Sequence, residues 1–355
     1  MIMRIVRLTR DLPVFASEGQ NIEYDDEYPR DFDASDEELE DLKIGAADNI
    51  LLAGKIEQDF SQLEVYVYEK EKGNLYVHHD IFLTSFPVAL EWLGCNFGAV
   101  EENAVTRANI GIVGTMQPEI ELWDLDVQDT VEPVAILAGN NGHKDSVTSL
   151  QLHHTRQNIL ASGSADRMFK IWDLQTQQAL FSYTKYKDAV QGLVWHPSNE
   201  SVALSYSGDN VLTMFDARDI NSVKTTKLPV GIESICYVNG NDDRVAIGTS
   251  DGSICFFDIK SFKMESSKPL KLHSEAITGL ISTPNDLLVS SSLDSFIKIT
   301  NQKDLNLIAE EKTKGDKLFG SSLHPDNPYL FACGSSLGEV VIWDTEEEVK
   351  KYVSK

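Results

Sequence analysis

The chain of 355 residues is short of positive charge. Its 31 Lys and Arg stand against 56 Asp and Glu, for a formal net charge of −25. So acidic a protein repels phosphate backbones beyond contact range, which argues against nucleic-acid binding by the whole surface and leaves that role only to a local basic face. Cysteine is scarce as well. Cys95, Cys236, Cys255 and Cys333 are widely spread, with no CxxC and no zinc spacing. They read as buried small hydrophobes in a reducing compartment. No run approaches 18 apolar residues and no apolar leader opens the sequence, so neither a membrane span nor secretion is expected, and the Asn199-Glu200-Ser201 sequon is incidental. There is no GxxxxGK[ST], no GxGxxG after a strand, no HExxH and no GxSxG. We therefore assign no catalytic, cofactor-binding or metal-binding residue, and expect a protein that is not an enzyme.

What the chain does have is a regular mark. Trp172-Asp173, Phe215-Asp216, Phe257-Asp258 and Trp343-Asp344 punctuate its second half, with aromatic residues 43, 42 and 86 positions apart. The last gap is two steps of 43, with Thr300 at the missing corner. A period near 43 marks a β-propeller of four-stranded blades. In four blades an aspartate precedes the corner by six residues: Asp166, Asp209, Asp251 and Asp294. Leu337 holds that place before Trp343. Further corners at Trp123-Asp124 and Tyr68-Glu69 bring the corners to Tyr68, Trp123, Trp172, Phe215, Phe257, Thr300 and Trp343. The expected fold is all-β, a seven-bladed WD-repeat propeller.

Blade three shows the strand pattern best. Val147–Leu152 alternates as a half-buried strand, 158–162 and 168–172 follow, and Gln178–Tyr183 is outermost. Trp92 precedes its corner by 31 residues where Trp195 precedes Phe215 by 20, which predicts a long surface loop near 95–107. The first strand of blade one is expected in Met1–Leu8, within an N-terminal segment 1–22. Residues 23–41 carry eleven acids and one Arg and are expected to be a disordered insertion. The propeller spans 48–345 and a short polar tail 346–355. The ring is expected to close by N- and C-terminal segments pairing in one blade, since open sheet edges are a liability.

His143, Ser162, Asp166 and Trp172 imitate a catalytic constellation. Their structural reading is stronger, because a buried indole N–H, hydroxyl and imidazole each need a partner. A chain from Trp through Ser and His to Asp satisfies them all. His273, Ser290 and Asp294 repeat the motif without the Trp, while Tyr186 and Leu337 replace its His and Asp elsewhere. His78-His79 and His153-His154 are read as strand neighbours pointing to opposite faces, unable to share an ion. His196-Pro197 and His324-Pro325 read as structural turns. Lysines gather at Lys224/Lys227, at Lys260/Lys263/Lys268/Lys271 and at Lys312/Lys314/Lys317, in segments read as loops between blades. On one face they would offer contacts to RNA phosphates or an acidic partner. Ser35, followed by Asp36-Glu37-Glu38, is a candidate phosphosite.

Two stretches are more specific than these marks. Asp48–Gly94, DNILLAGKIEQDFSQLEVYVYEKEKGNLYVHHDIFLTSFPVALEWLG, resembles the periodic tryptophan protein 1 family, as does NIGIVGTMQPEIELWDLD with its Pro118-Glu119-Ile120-Glu121 run. The acidic DASDEELEDLKI also fits, and the resemblance covers about residues 30–345. It implies a scaffold in the nucleus and nucleolus, acting in large-subunit precursor assembly and rRNA processing, with an association with chromatin at rRNA genes. The partners so implied are pre-ribosomal assembly factors, with basic ribosomal proteins or histones drawn to the acidic segment and indirect or local contact with pre-rRNA. The protein would be a monomer within a larger complex, without cofactor or membrane. The competing reading is a generic propeller adaptor in chromatin regulation or a ubiquitin-ligase complex, which the fold alone supports equally.

Overall fold

The structure is a computed structural model. It describes residues 49–57, 60–70, 72–94, 109–128, 130–219, 222–265, 269–314, 317–324 and 327–353, and the backbone of 4–9. Seven antiparallel sheets form the ring. Blade one is β1 (Arg4–Thr9), β2 (Asn49–Glu57), β3 (Phe60–Glu69) and β4 (Asn74–Leu83). Blade two is β5 (Pro87–Leu93), β6 (Ile110–Thr115), β7 (Ile120–Asp124) and β8 (Ala135–Leu137). Blade three holds β9 (Val147–Leu152), β10 (Ile159–Ser164), β11 (Phe169–Asp173) and β12 (Gln178–Tyr183). Blade four holds β13 (Val190–Trp195), β14 (Val202–Ser207), β15 (Val211–Asp216) and β16 (Lys224–Lys227). In blade five, β17 (Ile232–Val238), β18 (Asn241–Thr249) and β19 (Ser253–Asp258) meet an outer strand in two pieces, β20 (Lys263–Met264) and β21 (Leu270–Lys271). Blade six is β22 (Ile277–Ser282), β23 (Leu287–Ser292), β24 (Phe296–Asn301) and β25 (Leu307–Lys312). Blade seven has three strands among the described residues, β26 (Leu318–Leu323), β27 (Leu330–Ser335) and β28 (Val340–Asp344), and helix α1 (Glu346–Val353) follows. Among the described residues no helix is long and apolar enough to cross a membrane.

Burial explains the strand sequences. Second strands lie between two neighbouring blades, so they read as continuous small and apolar runs: ILASGS, VALSYS, LLVSSS and LFACGS, buried at all or nearly all positions. The outer strand QALFSY has only one covered side and alternates. Close approach between blades also demands glycine. A Cβ on Gly163 would stand 2.5 Å from Ser149 Oγ and 2.6 Å from Val190 of the next blade. Each corner residue is the last but one of a third strand, with Trp172 opposite Leu160, Phe215 opposite Ala203, Thr300 opposite Leu288 and Trp343 opposite Phe331.

Among the described residues the ring closes without the expected pairing of terminal segments in one blade. N- and C-terminal segments do not share a blade among the described residues: β1 is the innermost strand of blade one, and blade seven is built from 318–344. The seam is closed by packing and hydrogen bonds between blade seven and blade one. Leu51, Ala53 and Tyr66 meet Leu330 and Ala332 across it. His324 Nε2 bonds Asn49 Oδ1 at 2.9 Å, and Lys70 pairs with Asp344 at 3.0 Å. Residues 346–353 of the expected short polar tail form helix α1. Acidic Glu346–Glu348 in the first turn and Lys350 and Lys351 in the last match the helix dipole, and buried Val349 joins the cluster around Trp343 and Phe331. The acidic segment 23–41, Ser35, Cys95 and the expected loop at 95–107 lie outside the described residues.

Candidate interaction surface

In blade three the predicted chain forms. Trp172 Nε1–H donates to Ser162 Oγ at 2.8 Å, Ser162 Oγ lies 2.7 Å from His143 Nε2, and His143 Nδ1 lies 3.0 Å from Asp166 Oδ2. The Lys144 N–H also donates to Asp166. Burial alone would raise the Asp166 carboxyl, but bonds from His143 and Lys144 outweigh it and hold the group below its ordinary value. Every polar atom in this row is committed to its neighbour, so the row ties strands together and leaves no nucleophile poised at a substrate.

Other blades solve the same problem with different groups. Blade six joins His273 to Ser290 at 2.8 Å and to Asp294 at 3.1 Å, while Thr300 turns to the Leu288 carbonyl. Blade four sets the Tyr186 hydroxyl directly on Ser205 beneath Phe215. Blade two holds a feature that motif reading missed. Trp123 Nε1–H donates to Glu121 Oε2 at 3.0 Å, and Thr84 donates to the same carboxylate. Burial raises the Glu121 carboxyl above the usual glutamate value. The signal lay in the PEIELWD run, where Val113 takes the place that Ser162 has in blade three.

The histidine pairs need a correction. A β-bulge sets Val65 opposite His79 and Tyr66 opposite Val77, so His78 is the extra residue. Both rings then lie together, Nδ1 to Nδ1 at 2.8 Å. His153 and His154 follow the end of β9 and stack at 4.7 Å. Among the described residues no group of three or more His, Cys, Asp or Glu is placed to hold a metal ion. His153, His196 and His324 instead share a turn role, each accepting backbone N–H bonds on Nδ1. His153 and His324 then reach the next blade through Nε2, to the Glu200 carbonyl and Asn49. The spacing of 43 between His153 and His196 was the available clue.

The propeller has two unlike faces. The upper face carries the connections between blades and the turns from second to third strand. There lie exposed Lys144, Lys185, Lys187, Lys271, Lys314 and Lys317, with Lys227 and Lys312 at the upper ends of their strands. Lys224, Lys260 and Lys263 sit toward the lower face, so the predicted clusters divide, and several are in strands rather than loops. Lys268 lies outside the described residues. The lower face carries the corner aspartates together with Asp126, Asp219, Asp243, Asp286 and Asp304. Apolar exposure gathers at the upper side of blades seven, one and two: Leu337 (63% exposed), Phe60 (63%), Phe82 (64%), Phe86 and Met116. First strands line a central cavity of about 230 Å³ with Ser149, Gly192, Ser234, Thr278, Gly279 and Ser321, and Glu233 stands at its upper end.

Ring, corners and bonded rows define a WD-repeat β-propeller, and the WD domain, G-beta repeat family matches residues 132–173, which run from the end of blade two through the corner of blade three. Periodic tryptophan protein 1 homolog of Drosophila melanogaster is 32% identical over 317 residues, covering 84% of this chain and 68% of the relative. An uncharacterized WD repeat-containing protein of Schizosaccharomyces pombe is 32% identical over 87% of this chain and 64% of its own length. Periodic tryptophan protein 1 of Saccharomyces cerevisiae is 28% identical over 82% and 62%. The chain belongs to the periodic tryptophan protein 1 family, and it spans 62–68% of the length of these relatives.

Proposed function

We propose that this protein is a non-enzymatic scaffold for ribosome production in the nucleus and nucleolus, serving assembly of the large-subunit precursor and rRNA processing. Family membership across most of the chain is the observation that carries this reading. The molecule is suited to it. The bonded rows hold the blades rigid, leaving loops and sheet edges as the variable parts. Lysines around the upper rim give a locally less acidic face for pre-rRNA, while the acidic segment and the lower face attract basic ribosomal or histone-type proteins. Such attraction speeds encounter more than it sets affinity. The candidate phosphosite Ser35 would add charge to that same segment.

The test is purification of tagged protein from native extract at moderate salt, with and without RNase. Large-subunit rRNA precursors with nucleolar assembly factors are the expected companions. Cullin-type ligase or histone-modifying subunits without pre-rRNA would overturn the reading and promote an adaptor role.

A further inference from the structure

Among the described residues blade seven stops at its third strand, and no strand meets the outer edge of that strand. The Ser335 N–H donates to the Glu339 carbonyl and the Thr345 N–H to that of Tyr329. With Phe331 opposite Trp343 and Cys333 opposite Val341, antiparallel alternation turns the groups of Val341 and Trp343 toward β27. The N–H and C=O of Val340 and Ile342 therefore point outward. In blade six the matching residues, Ile297 and Ile299, pair with Glu311 and Ala309 of β25. Among the described residues no strand pairs with the outer edge of β28. Val340, Val341 and Ile342 are all partly exposed, where their counterparts in β11 are buried.

A second gap lies on the face of blade one that packs against blade seven. Glu57 pairs with Phe60, Lys55 with Gln62 and Ala53 with Glu64, and Gln62 pairs with Phe82. Residues two apart share a face, and Ala53 on this face packs against blade seven. Glu57, Phe60, Gln62 and Phe82 there line an open cavity of about 320 Å³. In blade three the outer strand brings Phe181 and Tyr183 onto Phe215 of the next blade. An outer strand on blade seven would cover Phe60 and Phe82 in the same manner.

We propose that the outer edge of β28 receives an extended strand from a partner protein, one that alternates apolar side chains with Lys or Arg. Main-chain bonds to Val340 and Ile342 would hold it and Phe60 and Phe82 would take its apolar side chains, the mode of β-strand addition. Charge specifies the rest. Glu339 precedes β28, Asp344 ends it, Glu346 (paired also with Lys350) and Glu348 lie in the helix that follows, and Glu57 rims the cavity. Lys70 answers Asp344 and Glu346, but Glu348 Oε2 is buried with no hydrogen-bond partner among the described residues. Glu311 of β25 lies close by, its carboxyl raised by burial and then by Glu348. A second copy of the chain is a poor occupant, because its own β28 brings no basic residue and each copy carries −25. Residues 23–41 have the wrong sign as well.

The site rests on the scaffold reading only in supposing a protein partner. The probe is a nine-residue synthetic peptide alternating valine with lysine and threonine, added to the full chain and followed by amide exchange. Exchange at Val340 and Ile342 should be fast in the protein alone and slow by about tenfold or more with peptide. A peptide with glutamate in place of lysine should have no effect. Val340→Pro removes an outward N–H without touching the β27 ladder, and should weaken binding about tenfold with the unfolding midpoint unchanged. Glu348→Gln should weaken it too, and keeps the test alive if the proline variant folds badly. Protection of Val340 and Ile342 in the protein alone would mean that the chain fills its own edge, and would overturn the proposal. So would unchanged exchange with peptide, or equal binding of the acidic peptide. Pre-rRNA recovery in Glu348→Gln separates failure of this site from failure of the proposed function.

Discussion

Blade three and the seam of blades seven, one and two are built on the same corner repeat and end up with opposite properties. Blade three has four strands, a bonded row from Trp172 to Asp166, and the stretch matched by the generic family. At the seam the row is gone. Glu121 serves Trp123, the Tyr66 hydroxyl bonds Glu64, Leu337 stands exposed where an aspartate would turn inward, and β28 lacks an outer neighbour among the described residues. The difference separates two jobs. Regular blades supply stiffness through satisfied polar groups, and irregular ones leave unsatisfied surface for something else to cover.

The largest break in this comparison is Trp172→Ala. It empties a fully buried site and strands Ser162, and should cost about 3–5 kcal/mol in denaturant unfolding. At the seam, Glu121→Leu leaves the Trp123 N–H without an acceptor and should cost about 1–3 kcal/mol. Glu121→Gln keeps an acceptor and sheds a carboxyl that burial already raises, so it should cost clearly less. Equal losses for Leu and Gln would show that the bond is not what holds Trp123.

A smaller effect depends on pH. Burial lowers the His273 imidazole below 6.5, and the attraction of Asp294 does not reverse this. The unfolded chain therefore takes up this proton more readily than the folded one. The contribution of His273 is present above pH 6.5 and is lost as the pH falls below it. The urea midpoint of the parent should drop from pH 7.5 to 5.5 more than that of His273→Asn, and parallel curves would contradict the assignment. The difference between the two proteins removes the opposite trend of the raised carboxyls Glu121, Asp126 and Glu233.

The repeat made the ring legible, because corner, turn aspartate and strand alternation are local patterns. The same holds for the row of blade three, whose four residues come from one blade. What escaped depends on strand register, on which residues share a face, and on packing between blades. The bulge that brings His78 beside His79 exists only in the register of β3 with β4. The bond from His324 to Asn49 joins residues 275 positions apart, so closure between blades seven and one was not to be read from either terminus. A carboxylate beneath Trp123 was visible as a letter in PEIELWD, but its bond to the indole requires knowing that the two residues share one face of a strand. Helix α1 escaped because its apolar content is slight, and Val349 is buried by a cluster drawn from blades six and seven.

The measurement that bears most directly on the contrast is residue-resolved amide exchange of matched positions in β11 and β28. Phe169 and Ile171 turn their N–H groups toward β12, as Val340 and Ile342 turn theirs toward the open edge. Exchange at Ile342 should be faster than at Ile171 by about two orders of magnitude or more in the isolated protein. Equal protection at the two positions would contradict the account, for it would mean that blade seven is finished like the rest.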